Sequence, residues 1–439
     1  MKVNNMYSVK IKDKNKVFRD TVSLYRKAVD WYIIICLEKW DDISALKKSK
    51  ERMNFVQSIS TTTKEHPNPE YDFTSAFYKF PVYLRRAAIM EALGKVSSYK
   101  SNLANWEKNP TGRQPGLPKA GFVYPALYRG NTFVRKSDYV AEVKVFIRNT
   151  WDWIPVQLKK SDVDYIKHHC SSMKECVPTL QKRGKQWFLD FAFEKFVTLN
   201  ETELKDQIVA GVDLGINSAC VCSVLKSDGT VIGRKFLSLP KENDCLTHRL
   251  NKIKQAQQLG NTHMPRLWAS AKGMNDRIAV LTAQFIISTA LEYNANVIVF
   301  EKLDKTSKKH GSKKQRLHMW KADYVQAMVA QKAHMHGMRI SHICAWNTSK
   351  LAFDGSGAVI RGKEAGLNTY SLCRFTNGKV YNCDLSASYN IGSRYFIREL
   401  LKSCSEKDRL DILAKVPECS KRTTCTLSSL IRLNTVLCA

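Results

Sequence analysis

Residues 207–215, Gln207-Ile208-Val209-Ala210-Gly211-Val212-Asp213-Leu214-Gly215, read as a buried strand that ends in a carboxylate and a glycine turn. Working outward, Ser218 to Leu225 is a second apolar run. Ser227-Asp228-Gly229-Thr230 has hairpin-turn chemistry, and Val231 to Leu237 is a third run. A helical stretch from about Asn243 to Asn294, broken near Gly260 and Pro265, separates these from Asn296-Val297-Ile298-Val299-Phe300-Glu301, another apolar strand ending in an acid. The order is β-β-β-α-β, with two carboxylates at strand ends.

A third acid, Asp384, opens a helical pattern in Tyr381-Asn382-Cys383-Asp384-Leu385-Ser386-Ala387. An acid at a strand end is ordinarily a turn or cap residue. Three in this order, within a ribonuclease H-like succession of elements, point to hard divalent-metal chemistry, because Mg²⁺ prefers oxygen ligands. Mn²⁺ would serve the same ligands.

Charge narrows the class of partner. The chain has 439 residues with 70 Lys and Arg against 40 Asp and Glu, a formal charge of +30. That self-repulsion gives no advantage to an enzyme of small metabolites, whereas a polyanion converts it into attraction and counterion release. With 44 % hydrophobic, 10 % aromatic and 25 % charged residues, the chain is a globular protein and not a basic tail. The longest apolar run, Trp31 to Leu37, is far short of the ~20 residues that span a bilayer, so no membrane partner is expected. An N-terminus without leader character and 13 scattered cysteines suggest an intracellular, prokaryotic cytoplasmic setting with reduced thiols.

Before the acidic region lie two other textures. Residues 6–12 alternate as a strand, and Phe18 to Trp40 and Tyr83 to Trp106 are spaced as helices. From Pro115 to about Leu204 short β runs, Ala141–Ile147 and Gln186–Phe193 among them, suggest a small barrel or sandwich that reclaims the first strand.

The segments GVDLGINSA, VIVFEKL and YNCDLSASYNIGSRY resemble the three RuvC segments of TnpB nucleases and of compact type V CRISPR effectors. The resemblance covers the whole layout. It implies an α+β multidomain protein: a wedge-type β-barrel (1–15 and 115–205) interrupted by a helical recognition insert (16–114), then a split ribonuclease H-like RuvC nuclease domain (206–345 and 381–400). A degenerate zinc-ribbon-like, target-strand-loading insert would occupy 346–380 and a basic extension 401–439. It implies an RNA-guided DNA endonuclease with Asp213, Glu301 and Asp384 as metal-binding catalytic residues. Its partners would be target double-stranded DNA and a guide RNA. The guide would be a CRISPR RNA with or without a trans-activating RNA, or a transposon-end RNA. An RNA-guided repressor and a guide-independent nuclease or transposase of the same fold are the alternatives. The chain is short for holding a long heteroduplex, so a large structured RNA or a homodimer would supply the missing scaffold.

One departure concerns zinc. Relatives carry two Cys-x-x-Cys pairs between the second and third acids, and a zinc ribbon needs four sulfur or nitrogen ligands. Here the stretch after Asn347-Thr348-Ser349 has no cysteine, and the nearest set, His342, Cys344, Cys373 and Cys383, is poorly spaced. The expectation is a zinc-free hairpin with corners at Gly355, Gly357 and Asn377-Gly378. Asn390, in the third motif, reads as a helix-packing polar residue, with support of the site as the alternative.

Nucleic-acid contacts are expected from two basic segments. Lys79, Tyr83, Arg85 and Arg86 mix cations with aromatics in the helical insert. Lys308, Lys309, Lys313, Lys314 and Arg316 follow Glu301 without apolar period, as a loop that guides a strand or covers the site. The tail beyond Leu400 is either a helical extension or partly disordered.

Overall fold

Strand-forming runs and helical faces sort into two units in the computed structural model, which describes residues 1–12, 16–62, 67–215, 219–303 and 320–438. One unit is Lys2–Lys195; the other takes in Met1 and Phe196–Ala439.

In the first unit, strand β1 (Lys2–Lys10) is followed by α1 (Val17–Glu38), α2 (Trp40–Ala45), α3 (Ser49–Ser60), α4 (Phe73–Ala76) and α5 (Val82–Lys108). Helix α1 buries Phe18, Val22, Tyr25, Val29, Tyr32 and Ile33, the three-to-four spacing legible in its sequence. It packs on α5 through Leu84, Ala88, Ala92 and Val96. Then come β2 (Phe133–Arg135), β3 (Val140–Ile147), β4 (Thr150–Gln157), α6 (Lys160–Cys170), β5 (Lys174–Glu175), β6 (Thr179–Arg183) and β7 (Gln186–Phe196). The first strand is indeed reclaimed: one sheet runs β1-β7-β5, with β6 also on β7, and a second runs β2-β3-β4. The single bridge Ile11–Leu158 joins their rims, and both sheets share a core with the helices.

In the second unit, β8 (Ile208–Asp213), β9 (Cys220–Lys226) and β10 (Val231–Leu237) form an antiparallel meander. Helices α7 (Pro240–Gln258) and α8 (Pro265–Glu292) then carry the chain across the sheet, so that β11 (Val297–Lys302) returns parallel to β8. A parallel neighbour requires such a crossover. After α9 (Ala322–Met335), β12 (Arg339–Cys344) adds in parallel, giving the order β10-β9-β8-β11-β12. A small antiparallel sheet follows, β13 (Ile360–Arg361), β14 (Leu372–Arg374) and β15 (Val380–Asn382), with Asn377-Gly378 turning β14 into β15. The chain continues through α10 (Cys383–Ser403), α11 (Glu406–Lys415) and α12 (Leu427–Cys438). The tail is therefore helical, and Leu427, Leu430 and Leu433 pack into the core formed by α10.

Both sheet faces are covered, as the continuous apolar runs require. Ala210, Val212, Ile298 and Phe300 face α8 and α9; Val209, Val297 and Val299 face α10. Helix α10 is buried all round from Leu385 through Ile397, with small residues such as Ala387, Ser388 and Gly392 among them. It approaches β8 so closely that a Cβ on Gly211 would lie 2.5 Å from the Ser388 carbonyl oxygen and 2.8 Å from the Gly392 nitrogen.

Candidate functional site

Strand alternation decides where the acids point. Residues 209, 211 and 213 share one face of β8, and 297, 299 and 301 share the same face of β11, because these parallel strands pair Val297 with Val209 and Phe300 with Val212. Asp213 and Glu301 thus stand side by side at the strand ends, on the face covered by α10. Asp384 lies in the first turn of α10, whose cap Asn382 accepts a hydrogen bond from the Leu385 amide at 2.9 Å. The structure therefore brings together three acids that the sequence separates by 88 and 83 positions.

The electrostatics follow from that placement. Burial pushes the Asp213 carboxyl well above the usual carboxylate range, the charges of Glu301 and Asp384 push it further, and Arg361 offsets part of this. Burial also raises Glu301, while a hydrogen bond from Thr348 and the nearby Arg394 guanidinium pull it back. The acids feel one another's charge without being drawn into contact. Among the described residues, no three His, Cys, Asp or Glu side chains converge closely enough to hold a metal ion. The donor chemistry nonetheless suits one: three mutually repelling carboxylates gain most from a hard divalent cation.

Several residues support the acids, and of these only Asn390 was marked by the sequence. Thr348, 2 % exposed, donates its hydroxyl to Glu301 Oε1. Asn390, fully buried on α10, donates to the Thr348 and Leu351 carbonyls at 2.9 and 3.0 Å and accepts from the Leu427 amide at 3.2 Å. Of its two readings the supporting one fits, because it fixes the segment whose Thr348 bonds Glu301. Arg394 is 4 % exposed and donates to the carbonyls of Cys425, Cys344, Trp346 and Thr423. Only its position, a charge in the apolar run Ile391–Ile397, could have marked it. Arg361 reaches the acids from the small sheet and donates to the Ser349 carbonyl, a placement no local pattern encodes.

The zinc candidates divide. Cys373 and Cys383 neighbour each other, buried with Phe375 and Ala352. His342 and Cys344 lie on β12, where they line a different cavity. In the other unit, Lys79 is exposed with its ammonium 5.0 Å from the Tyr78 ring. Tyr83 packs on Tyr128 at 5.3 Å, with Arg86 over its face at 5.6 Å. Arg85 is turned toward the core, 5.9 Å above Phe73, with its Nε lacking a hydrogen-bond partner. Lys308, Lys309, Lys313, Lys314 and Arg316 lie outside the described residues.

Comparison with solved structures supports a class by fold alone. The chain is similar to the protein of a Cas12f1–sgRNA–target DNA complex, with a TM-score of 0.52 and 14 % identity over 86 % of this chain and 81 % of that one. The protein of an AacC2c1–sgRNA binary complex matches at a TM-score of 0.43 and 10 % identity, over 84 % of this chain and 65 % of that one, which is too low to carry weight. The fold is thus a mixed helix-and-sheet architecture shared with a Cas12 effector. By sequence, the chain belongs to the Aq_aa04 family, which matches residues 5–147. A member from Aquifex aeolicus strain VF5, the uncharacterized protein aq_aa04, is 30 % identical over 128 residues, covering 27 % of this chain and 71 % of that protein.

Proposed function

We propose that the chain is an RNA-guided DNA endonuclease. In this reading residues 1–195 hold guide and target through a wedge-type barrel and its helical insert, and the β8–β12 sheet with α10 is a RuvC-type ribonuclease H-like nuclease. The observation that carries it is the placement of Asp213 and Glu301 on one sheet face with Asp384 on the helix that covers that face, near enough that both charges act on Asp213. The +30 charge and the fold shared with a Cas12f1 complex support the nucleic-acid partner.

Asp213, Glu301 and Asp384 would hold a divalent cation, Mg²⁺ or Mn²⁺, which when bound supplies charge neutralisation and an activated water for phosphodiester hydrolysis. The chain's own residues prepare that site. Thr348 keeps Glu301 oriented and ionised, and Asn390 keeps Thr348 in place. Arg361 brings a positive charge to the side of Asp213, where the scissile phosphate would carry its negative charge. The small sheet of 346–380 would load the strand without zinc, its buried Cys373 packing with Cys383 of α10.

Expression with the flanking non-coding locus tests the reading. Guide-directed, Mg²⁺-dependent cleavage that Asp213→Ala abolishes is the expected outcome. Binding without cutting would indicate an RNA-guided repressor, and cutting without RNA a guide-independent nuclease.

A further inference from the structure

A cavity whose floor residue Arg394 is the guanidinium that also acts on Glu301 lies against α10's C-terminal half. It has a volume of about 320 Å³ and is enclosed by β12, α10, α11 and the segment leading into α12. Five cations line it, Arg394, Arg398, Lys402, Arg409 and Arg422, and no carboxylate does. The inner wall is apolar, formed by Ile343, Ile397, Leu401 and Leu413.

The cations are unevenly engaged. Arg394 is spent on four backbone carbonyls, so its charge meets dipoles and no hydrogen-bonded carboxylate. Arg398 donates to Glu399 at 2.8 Å, to the His342 carbonyl at 2.9 Å and to the Ser341 hydroxyl at 2.8 Å; Lys402 stands 3.7 Å from the same Glu399. Arg409 and Arg422, both exposed, make no side-chain hydrogen bond or ion pair among the described residues. Two unneutralised guanidiniums thus stand on the rim of a concave site whose floor carries a third, buried one.

A solvated basic face would be flat and would have no apolar wall. This cavity is at the small end of ligand-sized sites, wide enough for one nucleotide and too narrow for a duplex. Guanidinium groups favour phosphate through paired, charge-assisted hydrogen bonds. The geometry points to a nucleotide-binding pocket: the phosphate sits on Arg409, Arg422 and Lys402, and the base or sugar lies against Ile343, Ile397, Leu401 and Leu413. The phosphate comes either from a free mononucleotide or from the phosphorylated end of an RNA strand. Neither source requires the acids to cut, so the pocket stands or falls apart from the nuclease reading.

The test is calorimetric titration of the full chain in chelator, which silences the acidic site. The probes are adenosine 5′-monophosphate and a short single-stranded RNA with a 5′-phosphate or a 5′-hydroxyl. Arg409→Gln combined with Arg422→Gln should weaken the binding probe at least tenfold, and Lys402→Gln alone severalfold, with melting midpoints unchanged. Tight binding of the monophosphate identifies a free nucleotide as the source. Binding only of the RNA, stronger with its 5′-phosphate, identifies a strand end, and the double variant then lowers the log–log salt slope by about 0.7, the loss of one phosphate contact on a single strand. Affinities for all probes that are the same in wild type, double variant and Lys402→Gln overturn the proposal.

Discussion

Adding one methyl group at Gly211 should damage the protein more than its size suggests. In Gly211→Ala the new Cβ would sit 2.5 Å from the Ser388 carbonyl oxygen, where ordinary contact begins at 3.4 Å, and the obstructing atoms are backbone of α10. No side-chain rotation relieves this; strand and helix must separate by about 0.9 Å. Overpacking of this kind costs roughly 1–3 kcal/mol. The upper end applies to a rigid neighbour, less the ~0.4–1 kcal/mol that alanine gains by restricting the unfolded chain. A net loss of about 2 kcal/mol lowers the melting midpoint by roughly 4–8 °C for a unit of this size. Because β8 carries Asp213 and α10 carries Asp384, the same displacement moves two acids apart, and a shift near 1 Å can cost about a hundredfold in rate. Two glycine variants calibrate the experiment. Gly392→Ala meets the Leu225 side chain at 2.7 Å, which can turn, and should cost less. Gly94→Ala, inside α5 with nothing within 4 Å, should stabilise its helix by about 0.5–1 kcal/mol. Differential scanning calorimetry reads all three. A Gly211→Ala protein as stable as wild type would refute the packing of α10 on β8 from which the acidic site is built.

Other outcomes follow from the same geometry. A carboxyl whose pKa is raised by folding binds its proton more tightly in the folded protein, so stability falls as pH climbs from the ordinary carboxylate range through the raised value. Asp213→Asn should therefore raise the melting midpoint by a few degrees in chelator at pH 7.5, with the gain shrinking toward pH 4. Added Mg²⁺ should stabilise wild type and leave this variant unmoved; equal shifts in both would contradict the ligand assignment. Thr348→Val removes the hydrogen bond that offsets part of the burial-driven rise of Glu301, so its pKa rises further and the acidic limb of the cleavage–pH profile moves to higher pH. The rate at neutral pH should drop about tenfold, from the loss of a charge-assisted bond. An unshifted profile would show that Thr348 does not act through Glu301. Asn390→Leu leaves the Thr348 and Leu351 carbonyls and the Leu427 amide without their partner, and should cost about 2–3 kcal/mol in chemical denaturation.

The legible parts of the fold were those whose neighbours are close in sequence or whose burial is total. The runs at 208–213, 220–226 and 297–301 are apolar on both faces, so they declared themselves as central strands, and alternation then fixed which way their acids point. Strand β12 was missed because it is a sheet edge with only Ile343 buried, so its sequence Arg-Ile-Ser-His-Ile-Cys has no apolar run to notice. Helix α6 escaped because its buried residues, Val163, Ile166 and Cys170, are few among charges. Among site residues, acids at strand ends carry a local signal. Thr348 and Arg361 carry none: each reaches the site from a loop or a short strand, and Thr348 meets its carboxylate across 47 residues. Of the two readings of the tail, a helical extension or partial disorder, the helical one holds, because Leu427, Leu430 and Leu433 recur at helical spacing and pack into the core formed by α10.

The central claim is that Asp213 and Glu301 on one sheet face, with Asp384 on the helix above it, cut DNA chosen by a bound RNA. The most direct measurement purifies the chain with RNA from its own locus, sequences that RNA, and follows cleavage of a matching and a mismatched DNA duplex with Mg²⁺. The account expects cutting of the matched duplex alone, lost in Asp213→Ala while RNA remains bound. Cleavage that persists undiminished in Asp213→Ala would contradict it.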